Sequence, residues 1–288
     1  TCPYCGVGCG VSAKLRDDSI IAVSGDKTHP ANYGALCVKG SALHETMGDH
    51  GRLFYPSVNG QRVDWDTALD TVAKRLHEVR EQHGPGAIAF YLSGQLLTED
   101  YYVANKLAKG FIGTGNVDTN SRLCMSSAVA SYKRAFGADA VPCSYEDLDH
   151  CDLLILVGSN AAWTHPVLYR RMATAKKRNP TMRVVVIDPR RTASCDLADL
   201  HLPINPGADG YLFVGLLAWL QQTGASRSEY IAQHTEGYLE ALEAANAISF
   251  AETARLVGLE TDVLETFYQW FSETDKTITF YSQGSNQS

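Results

Sequence analysis

Three cysteines crowd the first nine residues of this chain, and they constrain its fold more than any other feature. Cys2, Cys5 and Cys9 are separated by two and by three residues in a glycine-rich stretch, and Cys37 follows later. Thiolates this close converge on one inorganic centre at small cost in loop-closure entropy, because the intervening glycines allow unusual backbone angles. Four cysteines without a histidine among the first three favour a [4Fe–4S] cluster over a zinc site. The alternatives are a zinc knuckle, which more often shows two CxxC pairs, and disulfides or free thiols.

The composition is that of an ordinary folded protein and argues against several classes of function. The 288 residues suffice for two domains with a substantial core, and 45% of them are hydrophobic and 20% charged. A net charge of -7 argues against a nucleic-acid surface, and no apolar stretch approaches the roughly 20 residues of a membrane span. Eight cysteines are too few for a disulfide scaffold, so we expect a reducing, cytoplasmic compartment.

The start at Thr1 and the end soon after an apparent strand lead us to expect the N-terminal piece of a longer protein.

The first half of the chain predicts short elements, with one cysteine at a notable place among them. We expect a strand over 20–24, a short helix over 38–47, a helix capped by Asp64 and ended by Gly84, a buried strand over 87–92, a helix over 99–112 and a loop over 113–120. A helix from Met125 to Phe136 would place Cys124 near a helix N-terminus, where partial positive charge favours a thiolate. Taken alone, a cysteine in such a place is more often a small buried apolar residue.

Strands and helices alternate in the second half of the chain. Apolar runs of strand length lie over 153–157, 183–187 and 200–204, and helices are expected over 165–178 and from 206 to 220. This alternation predicts an α/β fold with a doubly wound parallel sheet that is buried on both faces. Residues 225–273 are expected to be helical, and a strand over 277–282 is followed by a turn.

The turns that follow three of these strands carry polar residues. They are Gly158-Ser-Asn160, Asp188-Pro-Arg-Arg-Thr192 and Pro206-Gly-Ala-Asp209. Ligands bind outside the carboxyl ends of strands in such sheets, where amides and Arg suit a diphosphate and Asp suits ribose hydroxyls or a guanine edge. The GxGxxG motif of nicotinamide-binding folds is missing, which argues against a dinucleotide dehydrogenase. The alternative is that these are ordinary turns with capping residues.

Taken together, the motifs resemble a known family. Cys2-x2-Cys5-x3-Cys9 with Cys37-Val-Lys39-Gly, then Ser121-Arg-Leu-Cys124-Met-Ser-Ser-Ala, then the three turns, follow in the order of the molybdopterin oxidoreductases that carry bis(molybdopterin guanine dinucleotide). Within that family the chain is most similar to the catalytic subunit of bacterial assimilatory nitrate reductases. The resemblance implies a small N-terminal [4Fe–4S] domain followed by Rossmann-like αβα domains that bind the molybdopterin guanine dinucleotide.

The resemblance also implies roles for individual residues. Cys2, Cys5, Cys9 and Cys37 would hold the cluster, and Lys39 would lie between cluster and pterin and help electron transfer. Cys124 would bind molybdenum through its thiolate, a role that replaces the small-apolar interpretation. Cofactor contacts are expected from the strand-end turns and from the last turn of the chain, at Asn160, Asp188, Arg190, Thr192, Gly207, Asp209, Gly284, Asn286 and Gln287.

The activity that the resemblance implies is reduction of nitrate to nitrite, with electrons entering through the cluster from a flavoprotein, ferredoxin or flavodoxin. Formate dehydrogenase of the same family is one alternative. Its metal-binding Cys or selenocysteine is typically followed by His, whereas Met125 follows Cys124 here. Relatives with Ser or Asp as metal ligand are excluded by Cys124. A second alternative is a non-catalytic iron–sulfur subunit, as in respiratory complex I, against which the intact Cys124 and nucleotide turns argue.

We expect four segments in the domain organisation. Residues 1–60 would form the cluster domain, and 61–137 the first part of an α/β molybdopterin-binding domain that carries Cys124. Residues 138–276 would form a second α/β domain for the guanine dinucleotide, and 277–288 would return into the first. Because the family's site is completed by later residues, this piece alone is expected to be inactive.

Overall fold

The chain begins with a strand hairpin and ends in a parallel sheet flanked by helices. The computed structural model describes residues 1–17, 19–94 and 96–287, and only the backbone of Ser121, Arg122 and Leu123. The strands are β1 (Val11–Arg16), β2 (Ser19–Gly25), β3 (Ser57–Val58), β4 (Gln61–Arg62), β5 (Phe90–Leu92), β6 (Val117–Thr119), β7 (Leu153–Val157), β8 (Arg183–Ile187), β9 (Leu200–Leu202) and β10 (Thr277–Tyr281). The helices are α1 (Val38–Ser41), α2 (Trp65–His83), α3 (Thr98–Asn105), α4 (Ser121–Phe136), α5 (Ala161–Thr164), α6 (Pro166–Arg178), α7 (Asp209–Gln222), α8 (Ser228–His234), α9 (Tyr238–Asn246), α10 (Phe250–Val257), α11 (Thr261–Glu273) and α12 (Gln283–Asn286).

The described chain forms two compact units, Thr1–Thr46 with Ser127–Ser288 and, separately, Met47–Ser126. The cluster segment thus belongs to the same unit as the parallel sheet. The predicted domain limits at 60, 137 and 276 remain predictions. None of the described helices is both long and apolar enough to cross a membrane.

The unit Met47–Ser126 contains α2, whose ends follow the predicted chemistry. The Asp64 carboxylate accepts a hydrogen bond from the Thr67 amide at 2.8 Å and caps the first turn. Gly84, with φ +80°, ends the helix, and Pro85 follows it. Both helix signals in the sequence are therefore confirmed.

Three expectations in this unit differ from the structure. The strand expected over 87–92 is only β5, and Tyr91 within it is 75% exposed, because its one partner is the three-residue strand β6. Strand β6 itself lies in the stretch expected to be a loop, where three residues gave too short a pattern to recognise. The helix expected over 99–112 changes from α3 to a π-helix over Lys106–Ile112 and ends at Gly113 in a left-handed conformation.

The sheet in the larger unit has four parallel strands in the order β10-β7-β8-β9. Leu153–Val157 is buried along its whole length, as its uninterrupted apolar sequence predicts. From β7 the chain moves through β8 to β9, and β10 then returns to the other side of β7. The predicted parallel sheet is confirmed, and β7 and β10 form its topological switch point. After β10 the chain forms the short helix α12 where a turn was expected, and Ser288 lies outside the described residues.

Successive residues of the central strands pack into two different layers. Leu154, Leu156, Val184 and Val186 pack with α6 and with residues of the cysteine loop, whereas Leu153, Ile155, Val157, Val185 and Ile187 pack with α7, α10 and α11. Each face of the sheet is thus covered by helices, as a doubly wound sheet requires. The cysteine loop and α6 share one of these layers.

Close packing of α7 against α10 and α11 depends on Gly215. The Tyr268 hydroxyl donates to the carbonyl of Leu212 at 2.6 Å, which draws α11 against α7. A Cβ atom at position 215 would lie 2.6 Å from Thr253 Cγ2 and 2.8 Å from the Tyr268 hydroxyl oxygen. The helices therefore approach more closely than any side chain at this position would allow.

We predict that Gly215→Ala lowers the free energy of unfolding by about 1–3 kcal/mol, because overpacking forces the helices apart. Gly210→Ala in the same helix is the matched control, since a Cβ there meets nothing within 4 Å. It should leave stability unchanged or raise it by up to about 1 kcal/mol. Denaturant unfolding measures the stability of both variants. It can be monitored by the fluorescence of Trp219 and Trp270, which lie in this layer. Equal midpoints for the two variants would contradict the packing account.

Candidate functional site

Four free thiols line one cavity of the larger unit, here called the thiol cavity. Its lining consists of Cys2, Cys5, Cys9 and Cys37 with Tyr4, Val7, Leu36, Gly40, Pro166 and Val167. The Cys2 amide donates to the Cys9 carbonyl at 2.8 Å, which closes the loop that carries three of the thiols. Gly8 turns this loop with φ +67°, a conformation that favours glycine. The structure thus brings together the four cysteines that the sequence proposed as cluster ligands.

Asn32 joins the two backbone segments that carry these cysteines. Its Oδ1 accepts from the Gly10 amide at 2.8 Å, and its Nδ2 donates to the carbonyls of Gly10 at 3.1 Å and Ala35 at 2.9 Å. Gly10 directly follows Cys9, and Ala35 lies two residues before Cys37. Because Asn32 is buried and bonded at both ends of its carboxamide, it fixes Cys37 relative to the loop.

Further contacts hold the thiol cavity against α6 and its neighbourhood. Arg170 Nη2 donates to the Leu36 carbonyl at 2.6 Å, next to Cys37, and the Tyr145 hydroxyl donates to the Gly6 carbonyl at 2.9 Å. Pro166 and Val167, at the start of α6, form part of the cavity wall. The cavity is therefore built from the loop on one side and the sheet's own helix layer on the other.

The electrostatics of the thiol cavity suit a cationic centre. Burial raises the pKa of the Cys9 thiol, and negative charge on Cys5, Cys2 and Cys37 would raise it further. Four thiolates can share this space only if positive charge lies between them. A [4Fe–4S] cluster binds four thiolates through its iron atoms and so fits this donor set. In the described ranges no group of three or more His, Cys, Asp or Glu side chains is placed to hold a single metal ion.

Lys39 borders both the thiol cavity and a neighbouring cleft. Its ammonium group lies 5.9 Å from the centre of the Tyr4 ring, which lines the cavity. It also lines a cleft of about 510 Å³ formed by Leu36, Cys37, Val38, Ala162, Trp163, Pro166, Tyr169 and Arg170. Burial lowers the pKa of His165, and the positive charge of Lys39 lowers it further. The Lys39 charge is therefore felt at the turn that leads from β7 into α6.

The carboxyl ends of β7 and β10 meet at the switch point of the sheet. The Gly284 amide donates to the Gly158 carbonyl at 3.0 Å, and a Cβ on Gly158 would lie 2.7 Å from Gly284 Cα. Beside this contact the hydroxyls of Ser159 and Ser282 are 2.9 Å apart. The turn after β7 and the turn after β10 are thus in contact, and two glycines make the close approach possible. In the last turn, Asn286 Nδ2 donates to Gln283 Oε1 at 3.0 Å and the Gln287 amide to the Gln283 carbonyl at 3.0 Å.

Several backbone amides of these turns are occupied by side chains of the turns themselves. The Arg190 amide donates to Asp188 Oδ1 at 2.8 Å, and the Ser194 amide donates to Thr192 Oγ1 at 3.3 Å. The Ala162 amide donates to Ser194 Oγ at 3.1 Å. These three amides are therefore not available to a diphosphate.

Two carboxylates lie close together at this edge. Asp188, after β8, is 6% exposed and Asp209 begins α7 after the Gly207 turn, where φ is +79°. Burial raises the pKa of Asp209, and the negative charge of Asp188 raises it further. Arg190, two residues after Asp188 in the chain, is exposed. Paired carboxylates suit a ligand that offers N–H donors, and an arginine suits phosphate groups.

Cys124 lies in the smaller unit, at an interruption of α4. The helix spans Ser121–Phe136, but Met125 has φ -150° and ψ 33°, which is not helical. Cys124 therefore ends a first short turn, and the continuous helix begins after Met125 rather than at it. The Cys124 side chain is half-buried.

Sequence reasoning missed Asn32, Tyr145 and Ser194. Each bonds to partners that are distant in sequence: Asn32 to Gly10, Tyr145 to Gly6 and Ser194 to Asn160. A single Asn, Tyr or Ser in a loop carries no periodic or spacing signal. Only the fold reveals that these three side chains fix the positions of site residues.

Comparison with known proteins gives consistent matches over the whole chain. The family described as molybdopterin oxidoreductase matches residues 52–286, and the molybdopterin oxidoreductase Fe4S4 domain matches residues 1–49. A nitrate reductase of Klebsiella oxytoca is 56% identical over 288 residues, which are 100% of this chain and 33% of that protein. A nitrate reductase of Shewanella frigidimarina is 49% identical over 298 residues, which cover 100% of this chain and 32% of that protein. The chain spans about a third of the length of these two relatives.

Two further comparisons widen this picture. The F420-dependent formate dehydrogenase 1 subunit alpha of Methanococcus maripaludis is 31% identical over 290 residues, 99% of this chain and 42% of that protein. Among solved structures, acetylene hydratase from Pelobacter acetylenicus superposes with a TM-score of 0.85 over 99% of this chain and 40% of that chain. At 20% identity this last likeness shows the fold alone.

We predict that Asn32→Ala causes loss of most of the iron bound by the purified protein. The substitution removes the partner of the Gly10 amide and of the Ala35 carbonyl, at about 1–3 kcal/mol for each buried group. Iron and acid-labile sulfide per chain measure the effect. Asn205→Ala is the control, since Asn205 Nδ2 donates to the Leu256 carbonyl, away from the thiol cavity. Wild-type iron content in Asn32→Ala would contradict the role of Asn32.

We predict that Asp209→Asn raises the denaturation midpoint at pH 7. Because the Asp209 pKa is raised in the folded protein, folding carries a penalty above that pKa. The penalty is absent where the carboxyl is protonated in both states, below the unfolded pKa of about 3.9. The gain from Asn should therefore shrink as pH falls towards that value. Asp262→Asn, an exposed residue in the first turn of α11, is the control and should show no such gain. A gain that stays constant with pH would contradict the electrostatic cause.

Proposed function

Because this chain belongs to the molybdopterin oxidoreductase family and carries its Fe4S4 domain at residues 1–49, we propose that the full-length protein reduces nitrate to nitrite. The observation that carries this proposal is 56% identity to a nitrate reductase over the entire chain. Identity to the formate dehydrogenase subunit is only 31% over a similar span. The family matches indicate a molybdopterin cofactor and a [4Fe–4S] cluster.

The cofactors supply the redox chemistry of the reaction, and the chain supplies the residues that bind them. Nitrate takes up two electrons and two protons to give nitrite and water. Bound molybdenum supplies the two-electron oxygen-atom-transfer chemistry, and the protein positions and tunes it. Cys2, Cys5, Cys9 and Cys37 hold the cluster through which electrons enter singly. Cys124 supplies a soft thiolate ligand to molybdenum and so affects its potential.

Lys39 has the position of a residue between two redox sites. Its ammonium group approaches the thiol cavity through the Tyr4 ring and lines the adjoining cleft. We assign the pterin to this cleft. A fixed positive charge there stabilises an electron on either side of it, so it favours transfer between them.

The carboxyl edge of the sheet supplies the binding residues for a guanine dinucleotide arm. Asp188 and Asp209 suit the N–H groups of guanine or ribose hydroxyls, and Arg190 suits the diphosphate. Asn160, Thr192, Gly207, Gly284, Asn286 and Gln287 lie in the same set of turns. We propose that the cofactor is bis(molybdopterin guanine dinucleotide), with one arm at this edge.

The proposed function also includes a metabolic role, a cellular compartment and an electron donor. We propose an assimilatory, cytoplasmic role, which is supported by the small number of cysteines, eight, in a chain of this length. The electron donor is then a flavoprotein, ferredoxin or flavodoxin that meets the cluster side of the protein.

Formate oxidation is the competing function, and the match to a formate dehydrogenase subunit favours it. A non-catalytic electron conduit would have the cluster without molybdenum. The three functions are separated by metal analysis and two assays on the full-length protein. A nitrate reductase should contain molybdenum and iron, and it should form nitrite with reduced viologen without oxidising formate. Iron without molybdenum would support the conduit, and formate oxidation without nitrite formation would support the dehydrogenase.

We predict that Cys124→Ser lowers nitrate turnover by more than about tenfold, because a less polarisable ligand changes the metal's potential. The iron content should stay at the wild-type value. Nitrite formation with reduced methyl viologen measures turnover, and Cys143→Ser, at an exposed thiol, is the control. Full turnover in Cys124→Ser would rule out this cysteine as metal ligand.

We predict that Lys39→Ala slows electron delivery to molybdenum while the molybdenum content stays near wild type. Lys39→Arg retains the charge and should recover much of the rate. Stopped-flow reduction of the molybdenum centre measures it, with Lys14→Ala, an exposed lysine of β1, as control. An unchanged rate in Lys39→Ala would contradict the proposed role.

A further inference from the structure

The hydroxyl of Ser194 is buried at the carboxyl edge of the parallel sheet, where we propose that the nucleotide binds. Ser194 is 0% exposed. Its Oγ accepts from the Ala162 amide at 3.1 Å and donates to Asn160 Oδ1 at 3.1 Å. It therefore joins the segment after β8 to the turn after β7.

The orientation of the Asn160 carboxamide follows from the single hydrogen of that hydroxyl. The Ala162 N–H already occupies one lone pair of Ser194 Oγ, so the hydroxyl hydrogen needs an acceptor. Asn160 Oδ1 is that acceptor among the described residues. With the carboxamide reversed, Nδ2 would donate to the same oxygen and the hydroxyl hydrogen would be buried without a partner, which is costly. Ser194 thus selects one of the two orientations.

The selected orientation turns a donor outward. Asn160 is half-buried, and its Nδ2 is not among the buried side-chain atoms that lack a partner in the described structure. Nδ2 is therefore at least partly exposed, and its N–H groups can donate to a ligand. Since the Ala162 amide is filled by Ser194, the Asn160 side chain replaces it as the donor offered at the start of α5.

We propose that Ser194 is a positioning residue that holds Asn160 as a hydrogen-bond donor to an acceptor oxygen of the guanine nucleotide. This inference rests on the proposed function, which places that nucleotide at the edge. Among the described residues, the Ser194 hydroxyl hydrogen-bonds to the Asn160 side chain and to the Ala162 amide. The proposed effect on nucleotide binding is the one that passes through Asn160.

A double-mutant cycle on the full-length holoprotein tests this coupling. Asn160→Ala, Ser194→Ala and the double variant are dialysed, and the guanine that remains is measured as GMP after acid hydrolysis, alongside iron. Each single variant should release guanine roughly three- to tenfold faster than wild type, the effect of one lost hydrogen bond. The double variant should release it no faster than Asn160→Ala. Ser249→Ala, which removes a serine cap on α10 far from this edge, should release at the wild-type rate.

The outcomes separate this inference from the proposed function. If Ser194→Ala releases guanine at the wild-type rate, the role of Ser194 is overturned and the proposed function stands. The same holds if the rate increases of the two single variants multiply in the double variant. Wild-type protein that carries iron but no guanine would overturn both. If Ser194→Ala does not fold, Asn160→Asp retains the acceptor for Ser194 and removes the donor. It should then release guanine faster, and release at the wild-type rate would overturn the inference.

Discussion

The packing of α6 between the sheet and the cysteine loop is the contact on which the whole site depends. Leu168, Met172 and Ala175 pack against the sheet in the same buried layer as Cys2 and Cys9. The first residues of α6 line the thiol cavity, and Arg170 bonds the segment before Cys37. Because close-packed strands and helices deform little, the four thiols have fixed positions relative to the carboxyl edge of the sheet. A loop of nine residues could not achieve this by itself.

Apolar and polar groups have separate tasks in this arrangement. The buried strands and α6, α7, α10 and α11 supply the free energy that orders the unit. At the cavity and the edge, buried polar side chains such as Asn32 and Ser194 are fully bonded, and they set the positions of the groups that face a ligand. Bonds between turns explain why sites far apart in sequence act together. Burial, with a further effect of the Asp188 charge, raises the pKa of Asp209, so holding a carboxylate at this position costs free energy.

The elements with strong sequence patterns could be predicted from the sequence, and so could the types of residue in the site. β7, β8, α6 and the Asp64 cap are confirmed because each is a local signal: a continuous apolar run, a helical period or a capping residue. β5 and β6 were misjudged because short, half-exposed strands have no such signal. The turn after β8 was expected to offer its amides, but the Arg190 amide donates to Asp188, a bond that the spacing of residues does not reveal. The resemblance supplied the roles of Cys124 and Lys39, which composition and periodicity do not specify.

The proposed function requires that the thiol cavity hold a cluster that passes electrons to a nitrate-reducing centre. Electron paramagnetic resonance of the anaerobically reduced full-length protein tests this most directly. Nitrate should remove the signal of the reduced cluster, with one nitrite formed for every two electrons, and formate should not restore it. A reduced-cluster signal that persists in the presence of nitrate, or one that formate restores, would contradict the account.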